Sequence, residues 1–217
     1  MNRLEFLKIL AAAGIGVPLL SSFGSMPKEK VIYPNLPTVT DEFEVFDEAL
    51  YKAMEKDVLG NVHKYLKDGT YFEIWKGKND YIYNYFPFNS YFSVHKKYYR
   101  SNGYIMRKGI SYVNGFGTGL WYEFDEKGHL IKTTDCDAPF TFSFEDILAY
   151  CRAYHIEVTK GYQRIGFHNR ILRFVNDDGS CYWVIKHLKR YDLIEAIYLD
   201  GKTGKEINRI EIEYINN

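Results

Sequence analysis

The chain has 217 residues, with 28 basic and 28 acidic side chains, 46% hydrophobic residues and 26% charged residues. That composition excludes pervasive disorder, and a net charge of zero removes the global field that would draw nucleic acid or an acidic membrane. Aromatic residues make up 18%, with 20 Tyr and 15 Phe, which weights the expectation toward sheet rather than helix.

In chain order, the first expected element is an address. Residues 1–8 carry Arg3 and Lys8 against Glu5, residues 9–20 are uncharged, and Ser21-Ser22-Phe23-Gly24-Ser25 follows. A charged start, a short apolar middle and small residues before Met26 form the pattern of a secretory signal peptide over residues 1–25. The apolar run is shorter than the roughly 20 residues a membrane span needs, so no stable span is expected after processing. Asn2-Arg3-Leu4-Glu5-Phe6-Leu7-Lys8 resembles the twin-arginine export signal, with Leu4 where the second arginine belongs. The general secretory and twin-arginine routes both stay open, and both lead to a periplasmic or secreted protein. In that oxidising setting Cys136, Cys151 and Cys181 would allow one disulfide, in three alternative pairings, with one thiol left over.

Residues 26–40, with Pro27, Pro34 and Pro37, read as an extended lead-in. Asp41 and Glu44 then stand as a capping-box-like start. Phe43, Phe46, Leu50, Ala53 and Met54 recur at helical spacing before Gly60, which predicts an amphipathic helix. From Gly69 the period changes to two. Thr70 to Trp75, a turn at Gly77-Lys78-Asn79-Asp80, and Tyr81 to Phe86 read as a hairpin, and Tyr91 to Val94 with Tyr98-Tyr99 continues the strand pattern.

A weak repeat follows at an offset of 25 residues. Tyr99-Arg100-Ser101-Asn102-Gly103-Tyr104-Ile105-Met106-Arg107 aligns with Phe124-Asp125-Glu126-Lys127-Gly128-His129-Leu130-Ile131-Lys132. In each, an aromatic residue enters a polar turn ending in Gly and an apolar strand leaves it. The stretch Gly119-Leu120-Trp121-Tyr122-Glu123-Phe124-Asp125-Glu126-Lys127-Gly128-His129-Leu130-Ile131 resembles a unit of the MORN-repeat-variant family. The resemblance implies a run of β-hairpins, in a family whose members are often envelope or toxin-neutralising proteins rather than enzymes.

Past Pro139, Ser143 and Asp146 form a cap pair, and Phe144, Ile147, Leu148, Cys151 and His155 fall on one stripe, predicting a second helix. Ile171 to Val175 and Tyr182 to Ile185 flank Asn176-Asp177-Asp178-Gly179, a strong hairpin signal. Leu193 to Leu199 and residues 207–215 close the chain, with Ile210, Ile212 and Tyr214 expected on one face and Glu211 and Glu213 on a wet one. The fold expected is α+β, a mostly antiparallel hairpin sheet covered by two helices. Residues 41–138 carry the first helix and the hairpins, and residues 139–217 carry the second helix and the last strands, continuous with what precedes them.

No assembled chemistry emerges. Cys151 and His155 share a face at i and i+4, yet the stripe they lie on reads as core. Asp135-Cys136-Asp137 places two carboxylates together, which would serve a hydrolase only if a substrate reached them. Gly115-Phe116-Gly117-Thr118-Gly119 is too tight for a dinucleotide loop and reads as a loop that could admit a partner. The six His residues have no metal-ligand spacing, so neither a metal nor a cofactor is expected. The basic runs from His95 to Arg100 and Lys186 to Tyr191 read as solvated strand edges, not nucleic-acid contacts. The reading is a non-catalytic exported binding protein, an immunity protein capping a periplasmic toxin, with Trp121, Tyr122, Tyr98, Tyr99 and Trp75 as its contacts. The alternative is a glycan- or peptidoglycan-binding envelope module that uses Trp75 and Trp121 as sugar platforms.

Overall fold

The computed structural model describes residues 37–113, 115–163 and 167–214. The expected signal peptide and most of the lead-in lie outside the described residues. Among these residues eleven strands are seen: β1 (Val62–Tyr65), β2 (Tyr71–Lys76), β3 (Asp80–Phe86), β4 (Phe92–Tyr99), β5 (Ile105–Tyr112), β6 (Gly117–Phe124) and β7 (Leu130–Asp135), then β8 (Arg170–Val175), β9 (Cys181–Arg190), β10 (Leu193–Asp200) and β11 (Glu206–Glu213). Among the described residues two helices accompany them, α1 (Glu48–Ala53) and α2 (Phe144–Ala153).

Strands β1 to β7 form one antiparallel meander in sequence order, and β8 to β11 form a second. A meander follows when every strand is joined to the next by a tight turn. The two turns of the internal repeat make the point: Gly103 and Gly128 hold φ of 75° and 87°, a region in which other L-residues are strained. Each donates its N–H back to the residue that opens its turn, Tyr99 and Asp125 respectively. The antiparallel hairpin architecture agrees with the sequence expectation.

The helices do not. They are too short to cover either sheet. The predicted first helix shrinks to six residues, because the segment before it lies extended on the sheet. Val45 bridges Tyr104, and Phe46 stacks on Tyr81 with ring centroids 4.3 Å apart. Glu44 caps nothing; it binds Lys96 and Lys108, and the N-cap of α1 is Asp47. Phe46 and Met54 pack against the covered face of the meander, over Phe72, Ile74, Tyr81, Tyr98, Tyr122 and Phe124.

Helix α2 matches its prediction at the N-terminus, where Ser143 and Asp146 form a reciprocal capping box. Its buried residues Phe144, Ile147, Leu148 and Cys151 share a core with Phe92, Tyr112 and Phe116 of the first sheet region and with Trp183, Ile185, Ile197 and Leu199 of the second. The helix ends at Ala153, so His155, with φ of 56°, falls outside it and off the predicted stripe. Strand β11 differs as well. All eight of its residues are exposed, Ile210 and Ile212 included, because it is the edge strand of the second sheet.

Candidate functional site

Antiparallel register places residues opposite one another on a common face. Ile74, Tyr83, Lys96, Lys108, Tyr122 and Thr133 thus form one row across β2 to β7. That row belongs to the face the N-terminal segment covers. One residue along each strand lies the opposite face, where His63, Glu73, Asn84, His95 and Gly109 form an equally unbroken row across β1 to β5.

The polar groups of this second row bond to one another. Asn84 donates its amide N–H to Glu73 Oε1 at 2.9 Å, which turns Asn84 Oδ1 toward His95 Nδ1, 2.7 Å away. The His95 Nδ1–H therefore donates to that oxygen, and Nε2 is left as the ring's acceptor. On the other side the Tyr71 hydroxyl donates to Glu73 Oε2 at 3.3 Å, and His63 Nδ1 lies 3.0 Å from that hydroxyl oxygen. Both arms run their donors toward the Glu73 carboxylate, which is buried and fully engaged. The Asp57 carboxylate closes the outer end, 3.6 Å from His63 Nε2.

Burial, followed by the charges of Arg107 and Lys97, holds His95 below the ordinary imidazole range. Burial also raises the Tyr71 hydroxyl, assisted by Tyr162 and by the neighbouring Glu73. Protonation of the His95 ring and ionisation of the Tyr71 hydroxyl are therefore both disfavoured in the fold.

The row ends at Trp121. Its indole lies flat on the backbone of Gly109 and Gly117, where an added Cβ would sit 2.2 Å and 2.7 Å from indole atoms. Only glycine permits that approach. The Trp121 Nε1–H donates to the Ile110 carbonyl at 3.0 Å, His95 faces the indole at 5.7 Å, and the Arg107 guanidinium covers it at 4.5 Å. At the other end Trp75 is 42% exposed and meets the His63 ring edge-on at 5.1 Å.

The contacts expected from sequence separate under this geometry. Trp121, Tyr122 and Tyr98 are buried, the last two on the covered face. Tyr99 is half-buried and ties its hydroxyl to the Phe124 carbonyl. Trp75 alone of the five is exposed. His63, Tyr71, Glu73, Asn84 and Arg107 went unnoticed because only register assembles them. The alternation Tyr71-x-Glu73 was the one local sign that two of them share a face.

The other sequence signals resolve into structure. Burial pushes the Cys151 thiol up to about 12, and all three cysteines are free. Asp137 pairs with Arg173 at 2.8 Å and accepts from Thr118 and the Gly119 N–H, so it holds two strands together; Asp135 caps the turn by accepting from the Asp137 N–H. Gly117 to Gly119 open β6 rather than forming a loop. In the basic runs, Lys96 and Lys97 pair with Glu44 and Asp80, and His187 and Lys189 converge on Glu195.

Two cavities flank these elements. One, of about 270 Å³, lies between β1 and the connector from α2 to β8. The other, of about 450 Å³, is lined by His155, His168 and His187 among others. Among the described residues, no three His, Cys, Asp or Glu side chains are grouped to hold a metal ion, and no helix is long and apolar enough to cross a membrane. Comparison with protein-family models, with curated proteins and with solved structures gives no match.

Proposed function

We propose that this is a binding protein that acts outside the cytoplasm by presenting the His63–His95 face of its first sheet to a protein partner, in the manner of an immunity protein capping a toxin. One observation carries the reading: the hydrogen bonds that link His63, Tyr71, Asn84 and His95 run to Glu73, inside the sheet. Ionisable groups bonded to each other are not poised to attack or protonate a substrate, but they make a surface that loses little freedom on docking. Exposed Trp75 at one end and the Arg107–Trp121 stack at the other supply the side-chain types that dominate interface energetics. Export is expected from residues 1–25, and the hairpin meander is the architecture that the MORN-variant resemblance implies.

Co-expression of the chain with each secreted protein encoded beside it, scored by survival, tests the proposal. Protection is expected from one pair, and Trp75→Ala is expected to weaken the purified complex at least thirtyfold, about 2 kcal/mol. No protection from any pair, or a complex indifferent to both Trp75→Ala and Arg107→Ala, overturns it.

A further inference from the structure

The smaller cavity has a chemistry of its own. Tyr65 and Tyr71 face each other across β1 and β2, two residues along from His63 and Glu73. The connector from α2 to β8 lays Tyr162 on Tyr71, with ring centroids 3.7 Å apart and planes inclined by 23°. Tyr65 stands 4.8 Å from Tyr71 and 6.4 Å from Tyr162. The Phe88 ring rests against Gly69, where an added Cβ would lie 2.8 Å from it. Tyr65 and Phe88 are 52% and 62% exposed, so two aromatic faces border the opening in water. The wall is held in place because the Gly161 N–H donates to the Ser90 carbonyl at 2.8 Å.

Two polar side chains complete the lining. Asn89 sits at φ of 58°, a left-handed conformation that among non-glycine residues it shares only with His155 in the described chain. Lys160 holds its ammonium 4.8 Å from the Tyr91 ring and forms no ion pair among the described residues. Among the described residues no carboxylate lines the cavity. Flat aromatic faces select ring C–H surfaces, an amide offers one donor pair and one acceptor to hydroxyls, and the single cation selects an anion. At about 270 Å³ the space lies just below the range of drug-sized pockets, which suits one six-membered ring.

We propose that this cavity binds a single pyranose ring carrying a carboxylate, its C–H face against Tyr65 and Phe88, its hydroxyls at Asn89 and its carboxylate at Lys160. The site adjoins the protein-docking face through Tyr71 but uses neither Trp75 nor Arg107, so either proposal can fail alone.

Saturation-transfer NMR on the full chain tests this, with methyl glucuronide, methyl glucoside and acetate as probes. The expected result is transfer to the ring protons of the glucuronide, with affinity in the millimolar range. Tyr65→Ala is expected to abolish it and Tyr65→Trp to keep it, with circular dichroism unchanged in both. Lys160→Gln is expected to weaken the glucuronide about tenfold, the loss of one charge-assisted contact, and to leave the glucoside unaffected. No transfer to either sugar at about 10 mM, more than its millimolar dissociation constant, overturns the proposal. So does displacement of the glucuronide by equimolar acetate, or a Lys160→Gln variant that still prefers the acidic sugar.

Discussion

Lys108 has no exposed surface, and its ammonium donates to the Glu42 carbonyl and to the Glu44 carboxylate. Burial pushes the Glu44 carboxyl up, but its bonds to Lys108 and Lys96 outweigh that and hold it below the usual range. Glu44→Ala would leave a buried cation without its counter-charge, so a loss of about 3 kcal/mol is expected from urea unfolding midpoints. His95 makes a separate prediction. Its imidazole is held low in the fold, so the unfolded chain binds the extra proton first. Stability is therefore complete above about pH 6.5 and drains as pH falls through the folded-state value. Between about pH 7 and pH 5 the melting temperature should fall, and His95→Gln should flatten that slope. Glu44 and Glu195, both held low, add their own losses only below about pH 4.5.

At the scale of elements, α2 rests on a local signal. The Ser143 hydroxyl accepts from the Asp146 N–H while the Asp146 carboxylate accepts from the Ser143 N–H. Ser143→Ala should cost about 1 kcal/mol, read by thermal unfolding. That helix was legible in sequence because its caps lie within four residues of each other. Likewise, the hairpins announced themselves through Gly103, Gly128 and Asp178-Gly179. Helix α1 was overread because Phe43 and Phe46 have helical spacing, yet each is taken by a tertiary partner, Tyr104 and Tyr81. Strand β1 went unread since Val62 is its one buried residue among polar neighbours. The site was less legible than the fold. Aromatic residues occupy both faces of β3, with Tyr81 and Tyr83 on one and Phe86 on the other, so residue type could not tell an interior ring from an exposed one. The Glu73 row needs five strands in register, information that no single window of sequence contains.

For the molecule as a whole, Arg173 is a polar tie between β8 and the first sheet. Its guanidinium is nearly buried, donates to the Gly117 carbonyl, pairs with Asp137, and lies 4.5 Å, 4.7 Å and 5.5 Å from the Phe116, Phe140 and Trp183 rings. A planar, delocalised cation suits three ring faces, and a lysine ammonium does not. Arg173→Lys should therefore destabilise by about 2 kcal/mol despite keeping the charge. A loss below about 0.5 kcal/mol in chemical denaturation would show that the cage is incidental.

The three indoles also sit at very different depths. Trp183 has 0% of its surface accessible, Trp121 is pressed beneath a guanidinium, and Trp75 stands in water at the margin of the first sheet. The protein accordingly carries its own optical probes. Acrylamide should quench one red-shifted emitter and spare two blue-shifted ones, and whatever settles on the first sheet should darken that single accessible signal before any melting curve moves.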